Sequence, residues 1–473
     1  MTNRRYGHMV HEHYVKRLRE IMAERRRRIE ALRTRSDAER YVLRVREEVA
    51  RSFGPLPERT PLKPEVTGSE QREGYLLEKV TFQSRPGFLV TANLYLPEGA
   101  SLDRARPGVL GLCGHSLGGK AEPLYQSFCQ GLVRRGFVVL IIDPIAQGER
   151  RHFYPEDGGE RPNLCHAHNL MGNKLVLLDE FFGTWRVWDG IRALDYLLSR
   201  PEVDASRVGV TGNSGGGTLS TYVSALDPRP AMAAPSCYIC SWLANMENEL
   251  PADSEQNPPG LLRAGLDEVD MLLCHAPRPT MILSQQKDYF DERHARAACE
   301  DLLRVHELLG SSGSAAYFAG PREHGFHREN REAMYGFFLK QAGLEGDSSE
   351  CDVVPVESEQ LQALPEGKEY RAVSRRAFEF TAERAGRLKQ ERGTPSAERV
   401  KDAARELLGM PEPDGPPAYR CLCRGAYGEE EPPARFQFAV ETEPGIRAII
   451  TTFGPDQGPM RLPSGDVGLY VGH

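Results

Sequence analysis

Two periods of apolar residues divide the chain. Across residues 9–53, Leu, Val and Ala recur at helical spacing among Arg and Glu with no internal proline, which predicts helix. FGPLPERTPLKP (53–64) then breaks the pattern with prolines. From residue 74 the period shortens to that of strands: GYLLEKVTF and FLVTANLYLP, joined by the turn QSRPG, predict a hairpin. Beyond it, β-rich apolar runs alternate with helical stretches. Strands are expected at VLGLC (109–113), FVVLIID (137–143), RVGVTG (207–212), within AMAAPSCYICSW, at PTMILSQ (279–285) and at SAAYFAG (314–320). Helices are expected over roughly 122–135, 184–200, 216–227 and 294–310, with a last one closing the unit near 343. In the second of these, Val187, Ile191, Leu194 and Leu198 share one face. This alternation implies a mostly parallel sheet covered by helices on both faces. Residues 152–183 fit neither period and are expected to cap the unit.

The pattern then starts again. SRPGFLVTANLYLP (84–97) is echoed by TEPGIRAIITTFGP (442–455), and GLCGH (111–115) by LYVGH (469–473), at a common offset of 358 positions. SDAERYVLRVREEV (36–49) is echoed by SAERVKDAARELLG (396–409) at nearly the same offset. Shared spacing across separate segments is the mark of an internal repeat. The expected organisation is a helical extension and linker at 1–70, an α/β unit at 71–345, and the start of a second, incomplete copy at 346–473. On this reading the chain is a fragment of a longer tandem protein.

Composition removes several function classes. The net charge is −7, so no electrostatic case exists for nucleic acid. The basic run Arg25–Arg28 sits in the helical stretch and is expected to be a solvated face. No run approaches the about 18 apolar residues of a membrane span, and the N-terminus has no apolar signal core, so a cytoplasmic protein is expected. The ten cysteines do not resemble a disulfide framework; Cys113, Cys129, Cys237, Cys240 and Cys274 lie in apolar runs where a small hydrophobe is expected. Cys237-Tyr-Ile-Cys240, His324-Gly-Phe-His327 and Cys165-His166-Ala-His168 are weak ligand patterns, and no metal or cofactor is expected.

The chemistry rests on two G-x-S-x-G segments, GHSLG (114–118) and GNSGG (212–216). The first also fits most of a phosphate loop ending at Lys120, but Ala121 stands where a magnesium-holding Ser or Thr belongs. A nucleophile elbow needs a strand before it, a helix after it, and an earlier strand–helix loop to complete the oxyanion hole. Ser214 follows the strand at 207–212, opens a helix, and has the 114–119 loop upstream; Ser116 has only the hairpin before it. Ser214 is therefore the expected nucleophile. The amide of Gly215, with that of His115 or Ser116, would hold the oxyanion. A base and its orienting acid should follow in the order acid, then His. Asp288 and His324 fall just past strand ends, where α/β sites form. Asp291 and His327 compete with them.

With these residues in place, 75–343 resembles the α/β-hydrolase superfamily, nearest its bacterial acetyl-xylan-esterase-like and prolyl-oligopeptidase-like branch. The resemblance is carried by CGHSLGGK, VVLIIDPIAQGER, RVWDGIRALDYLLSRPEVD, VGVTGNSGGG, QKDYFDERHA and GPREHGFHRENREAMYGFF. It implies Ser214, Asp288 and His324 as catalytic triad. It also implies hydrolysis of carboxylic esters, with short acyl esters of carbohydrate as the substrate class and no cofactor. A serine peptidase is the nearest alternative, and a non-catalytic scaffold the alternative from another class.

Overall fold

The computed structural model describes residues 7–153, 164–250, 252–366, 368–409, 415–427 and 434–453. Leu18–Gln390 form one unit, and Met1–Arg17 with Glu391–His473 a second. Elements are numbered in chain order. The first unit begins with α1 (Met9–Ala31, from Leu18 on) and α2 (Arg35–Phe53). Then come β1 (Glu65–Arg72), β2 (Tyr75–Arg85), β3 (Phe88–Pro97), β4 (Arg106–Leu112), α3 (Pro123–Val133) and β5 (Val138–Ile142). Next are α4 (Leu164–Val176), α5 (Phe182–Ser199), β6 (Val203–Asn213), α6 (Gly215–Leu226), β7 (Met232–Ser236), α7 (Trp242–Glu247) and α8 (Glu268–Leu273). The unit closes with β8 (Thr280–Lys287), α9 (Glu292–Leu308), β9 (Ala315–Glu323), α10 (Arg328–Ala342), α11 (Tyr370–Val373) and most of α12 (Ala377–Arg392).

The nine strands form one sheet in the order β1-β2-β3-β5-β4-β6-β7-β8-β9. The run from β5 to β9 is parallel, while β1, β2 and β3 pair antiparallel with their neighbours. Strand alternation feeds two cores. Val138, Leu140 and Ile142 join Val45, Trp188, Leu219 and Leu302 on one face. Val139 and Ile141 join Phe128, Leu132 and Phe338 on the other. β5 is buried throughout, as expected for a strand covered on both faces.

Three features depart from the sequence reading. The 9–53 helix is two helices: Thr34 Oγ accepts from the Asp37 amide, and the Asp37 carboxylate accepts from the Thr34 amide, a capping box that restarts the chain as α2. β1 was not expected, because EVTGSEQR is polar; it forms through backbone pairing at the sheet edge rather than through an apolar face. The Arg25–Arg28 run is not uniformly solvated: Arg25 is buried, and its guanidinium bridges Asp270 and Asp301 at 2.6 Å each.

The compact unit is wider than the 71–345 span. On its N-terminal side, Tyr41, Val42, Val45, Val49 and Phe53 of α2 are buried in the core. On its C-terminal side, Leu361, Ala363, Tyr370 and Ala377 are buried, Asn93 donates to Leu361 O, and the Tyr370 hydroxyl donates to Leu89 O.

The second unit contains α13 (Ala397–Leu408) and a three-stranded antiparallel sheet, β10 (Tyr419–Tyr427), β11 (Ala434–Glu443) and β12 (Ile446–Phe453). Pro444-Gly445 turns β11 into β12 with Gly445 at φ +84°; Pro86-Gly87 turns β2 into β3 with Gly87 at φ +75°. The segment LYVGH, on which part of the repeat rests, lies outside the described residues.

Candidate active site

Ser214 sits between the end of β6 and the start of α6 with φ +58° and ψ −123°. A non-glycine residue in this region stores about 1–3 kcal/mol of strain and persists only when its surroundings enforce it. The enforcement is visible. The Ser214 amide donates to Ser236 O at 2.9 Å, and Thr218 N donates to Ser214 O, locking the turn to β7 and to the first turn of α6. A Cβ on Gly212 or Gly216 would collide with Leu112 O, and one on Gly114 with Asn213 O. The glycines thus let the elbow and the 114–119 loop meet backbone to backbone, above the paired Leu112 and Gly212 of β4 and β6.

The 114–119 loop is built to hold still. Lys120 is buried and its ammonium binds Asp143 at 2.6 Å; Asp143 also accepts from the Lys120 amide and the Thr91 hydroxyl. Burial would lower the lysine, but Asp143 and Glu149 overcome it and raise it above its usual range. A Cβ on Gly119 or Gly148 would strike the Asp143 carboxylate. The lysine that suggests a phosphate loop in sequence is a structural ion. Ser116 Oγ donates to Glu122 at 2.6 Å, and Gln147 donates to both Gly114 O and Ser116 O. The His115 ring instead turns toward the elbow: its Nδ1 and Cε1 lie 2.9 Å from where a Cβ on Gly215 would stand.

His324, on the loop after β9, brings Nδ1 within 2.9 and 3.0 Å of the two oxygens of Asp288, which follows β8. Asp288 is buried and His324 largely so. Asp291, the competing acid, caps α9 through the Arg293 amide and pairs with the Arg293 guanidinium. His327, the competing base, is the N-cap position of α10. Among the described residues no hydrogen bond joins Ser214 to His324. Tyr289 stacks on His324 with ring centroids 4.3 Å apart, and its hydroxyl lies near Ser214. Burial, with Asp288 nearby, pushes its phenol up to about 12. An open groove bounded by Asn248, Leu250, Asp288 and Tyr289 lies alongside. Tyr289 was not singled out in sequence; its position next to Asp288 is the one signal that could have found it.

A second polar group was also missed. Asp253 Oδ2 takes His115 Nε2 at 3.0 Å and His168 Nδ1 at 2.9 Å, while Glu255 faces His115 and binds Arg186 of α5. Among the described residues, three sets of side chains could converge on a metal ion: His115 with Cys165 and Asp253, His115 with His168 and Glu255, and Cys237 with Asp288 and His324.

Residues 57–253 match the family model for acetyl xylan esterase (AXE1), a span that includes the elbow and ends before Asp288 and His324. YtaP of Bacillus subtilis, provisionally named a hydrolase, is 27% identical over 204 residues, 41% of this chain and 62% of its own. PA2218 of Pseudomonas aeruginosa, named as uncharacterized, is 30% identical over 151 residues, 32% of this chain and 34% of its own. The chain thus spans less than two thirds of either curated relative. In structure, the methylesterase BT1017 superposes with a TM-score of 0.60 at 21% identity, covering 78% of this chain and 80% of its own. A Bacteroides fragilis protein provisionally described as an acetyl xylan esterase gives 0.50 at 16% identity, covering 61% and 76%. With a largely parallel sheet, a serine in a strained strand–helix turn and the AXE1 match over residues 57–253, the chain has an α/β-hydrolase-type fold and over that span is similar to acetyl xylan esterases.

Proposed function

We propose that this protein hydrolyses carboxylic esters by acyl transfer through Ser214, with short acyl groups on carbohydrate as the substrate class. The observation that carries the reading is the strained backbone of Ser214 at the end of β6, on the same sheet edge as the Asp288–His324 pair. Asp288 accepts from His324 Nδ1–H, which leaves Nε2 as the base. His324 takes the Ser214 proton as Oγ attacks the ester carbonyl, and returns it to the departing alcohol. Water, deprotonated by the same nitrogen, then releases the acid. On this reading the amides of Gly215 and His115 receive the oxyanion, a contribution of about 3 kcal/mol per donor in comparable sites. The names of the relatives, among them a methylesterase and acetyl xylan esterases, support ester chemistry on carbohydrate.

The test is turnover of a p-nitrophenyl acyl series and of acetylated xylooligosaccharides by the wild type, Ser214→Ala and Ser116→Ala. Loss confined to Ser214→Ala supports the mechanism. Loss confined to Ser116→Ala, or a wild type inert toward every ester, overturns it.

A further inference from the structure

The cluster behind the oxyanion loop has a protonation pattern that its contacts dictate. His168 is fully buried on α4. Its Nε2 lies 3.1 Å from Ile145 O, an acceptor with no proton to give, so Nε2 carries a hydrogen. Its Nδ1 lies 2.9 Å from Asp253 Oδ2. Burial alone would raise the Asp253 carboxyl, but hydrogen bonds from His115 and His168 hold it well below the usual carboxylate range, as an anion. Both ring nitrogens of His168 thus face oxygen acceptors. The same oxygen accepts from His115 Nε2 at 3.0 Å, which sets the His115 tautomer and leaves Nδ1 bare on the Gly215 side. Glu255, beside the same histidine, pairs with Arg186. The two separations, 2.9 and 3.0 Å, are hydrogen-bond lengths. Two ligands of one tetrahedral zinc, each about 2.0–2.1 Å from the metal, would stand about 3.3 Å apart.

The segment bearing Asp253 is itself fixed. Ser254 N donates to Asn169 and Ser254 Oγ to His168 O, tying it to α4. The Tyr222 hydroxyl of α6 donates to Glu255 O. The anchor is therefore held by the helix that opens at the elbow and by the helix that carries His168.

We infer that the buried His168–Asp253 pair is a positioning device that clamps the His115 ring against Gly215 and so aligns the two oxyanion amides. The inference rests on the Ser214 reading above. It makes His115 a residue whose side chain matters through its backbone, because the ring reaches from the 114–119 loop to Asp253 and Glu255. Release of the clamp leaves substrate binding in place and weakens stabilisation of the tetrahedral intermediate. A misplacement of about 1 Å at such a site costs about 100-fold in rate.

The test compares p-nitrophenyl acetate kinetics, fluorophosphonate labelling and melting temperature for the wild type, Asp253→Asn, His115→Ala and His115→Gln. Asp253→Asn and His115→Ala are expected to lose about 100-fold in kcat with KM within about threefold, and to label correspondingly slowly. His115→Gln, whose amide can still donate to Asp253, is expected to recover most of the loss. Either of two results overturns the inference: a kcat within twofold of wild type for Asp253→Asn in a protein that melts normally, or one equivalent of zinc retained through dialysis. A wild type that neither turns over ester nor labels removes the Ser214 reading and this inference with it; a labelling enzyme with an indifferent Asp253 removes this inference alone.

Discussion

GHSLG and GNSGG share one five-residue pattern, lie on adjacent parallel strands and touch, yet their serines have opposite roles in the architecture. Ser214 is held at φ +58° by a strand that ends beneath it and a helix that starts beyond it, so its side chain is carried out of the turn. Ser116 bonds to Glu122 within its own loop and is followed by a single 3₁₀ turn (Gly119–Ala121) rather than by the helix itself. In the first segment Gly114 accommodates the neighbouring elbow and Gly118 lies against Glu122; in the second Gly212 and Gly216 let α6 start directly against Leu112. The lesson is that the pattern specifies close backbone approach, while the element that follows decides whether the serine is presented or tied down.

The largest expected effect that sharpens this contrast is Ser214→Ala, which should reduce kcat by about 10⁶-fold with little change in melting temperature. Residual turnover within tenfold of wild type would break the contrast outright. Next comes Asp288→Asn, expected to lower kcat about 10⁴-fold because it no longer fixes the His324 tautomer. Lys120→Met should act through folding instead. It strands the buried Asp143 charge and is expected to destabilise by about 3–5 kcal/mol, read as a shifted urea midpoint. Asp291→Ala should cost about 1 kcal/mol through the lost α9 cap and leave kcat near that of wild type; a 10³-fold loss would reassign the acid. Smallest of all, Ser116→Ala should lose two part-buried hydrogen bonds, to Glu122 and from the Gly118 amide, each about 1 kcal/mol or less, and keep kcat within about twofold.

The α/β alternation was legible because strands buried on both faces must be almost wholly apolar and their crossover helices amphipathic, and β4, β5 and β7 follow that rule. β1 escaped because an edge strand such as EVTGSEQR can satisfy its backbone without an apolar face. The break before α2 was written in TRSD, but a capping box inside an otherwise helical run is easily overrun by the apolar period. α5 shows the converse: Val187, Ile191 and Leu194 predicted one buried face, yet Arg186, Asp189 and Arg192 are buried as well. Each is paired with a residue far away or nearby in sequence, Glu255, Arg150 and Asp195 respectively. Periodicity cannot foresee such partners.

For the site, the elbow and its position after a strand were determined by the sequence, because glycine at 212, 215 and 216 and a following helix leave few other backbone solutions. The choices between Asp288 and Asp291, and between His324 and His327, were not, since all four fall on the same loops. Geometry pairs Asp288 with His324 because Asp291 and His327 occupy helix N-cap positions, where local backbone governs them. The roles of Tyr289, Asp253 and His168 belong to the tertiary structure alone. His115 and Asp253 are 138 residues apart and His168 and Asp253 85, and no local period records a contact made only when two loops and a helix meet over one sheet edge.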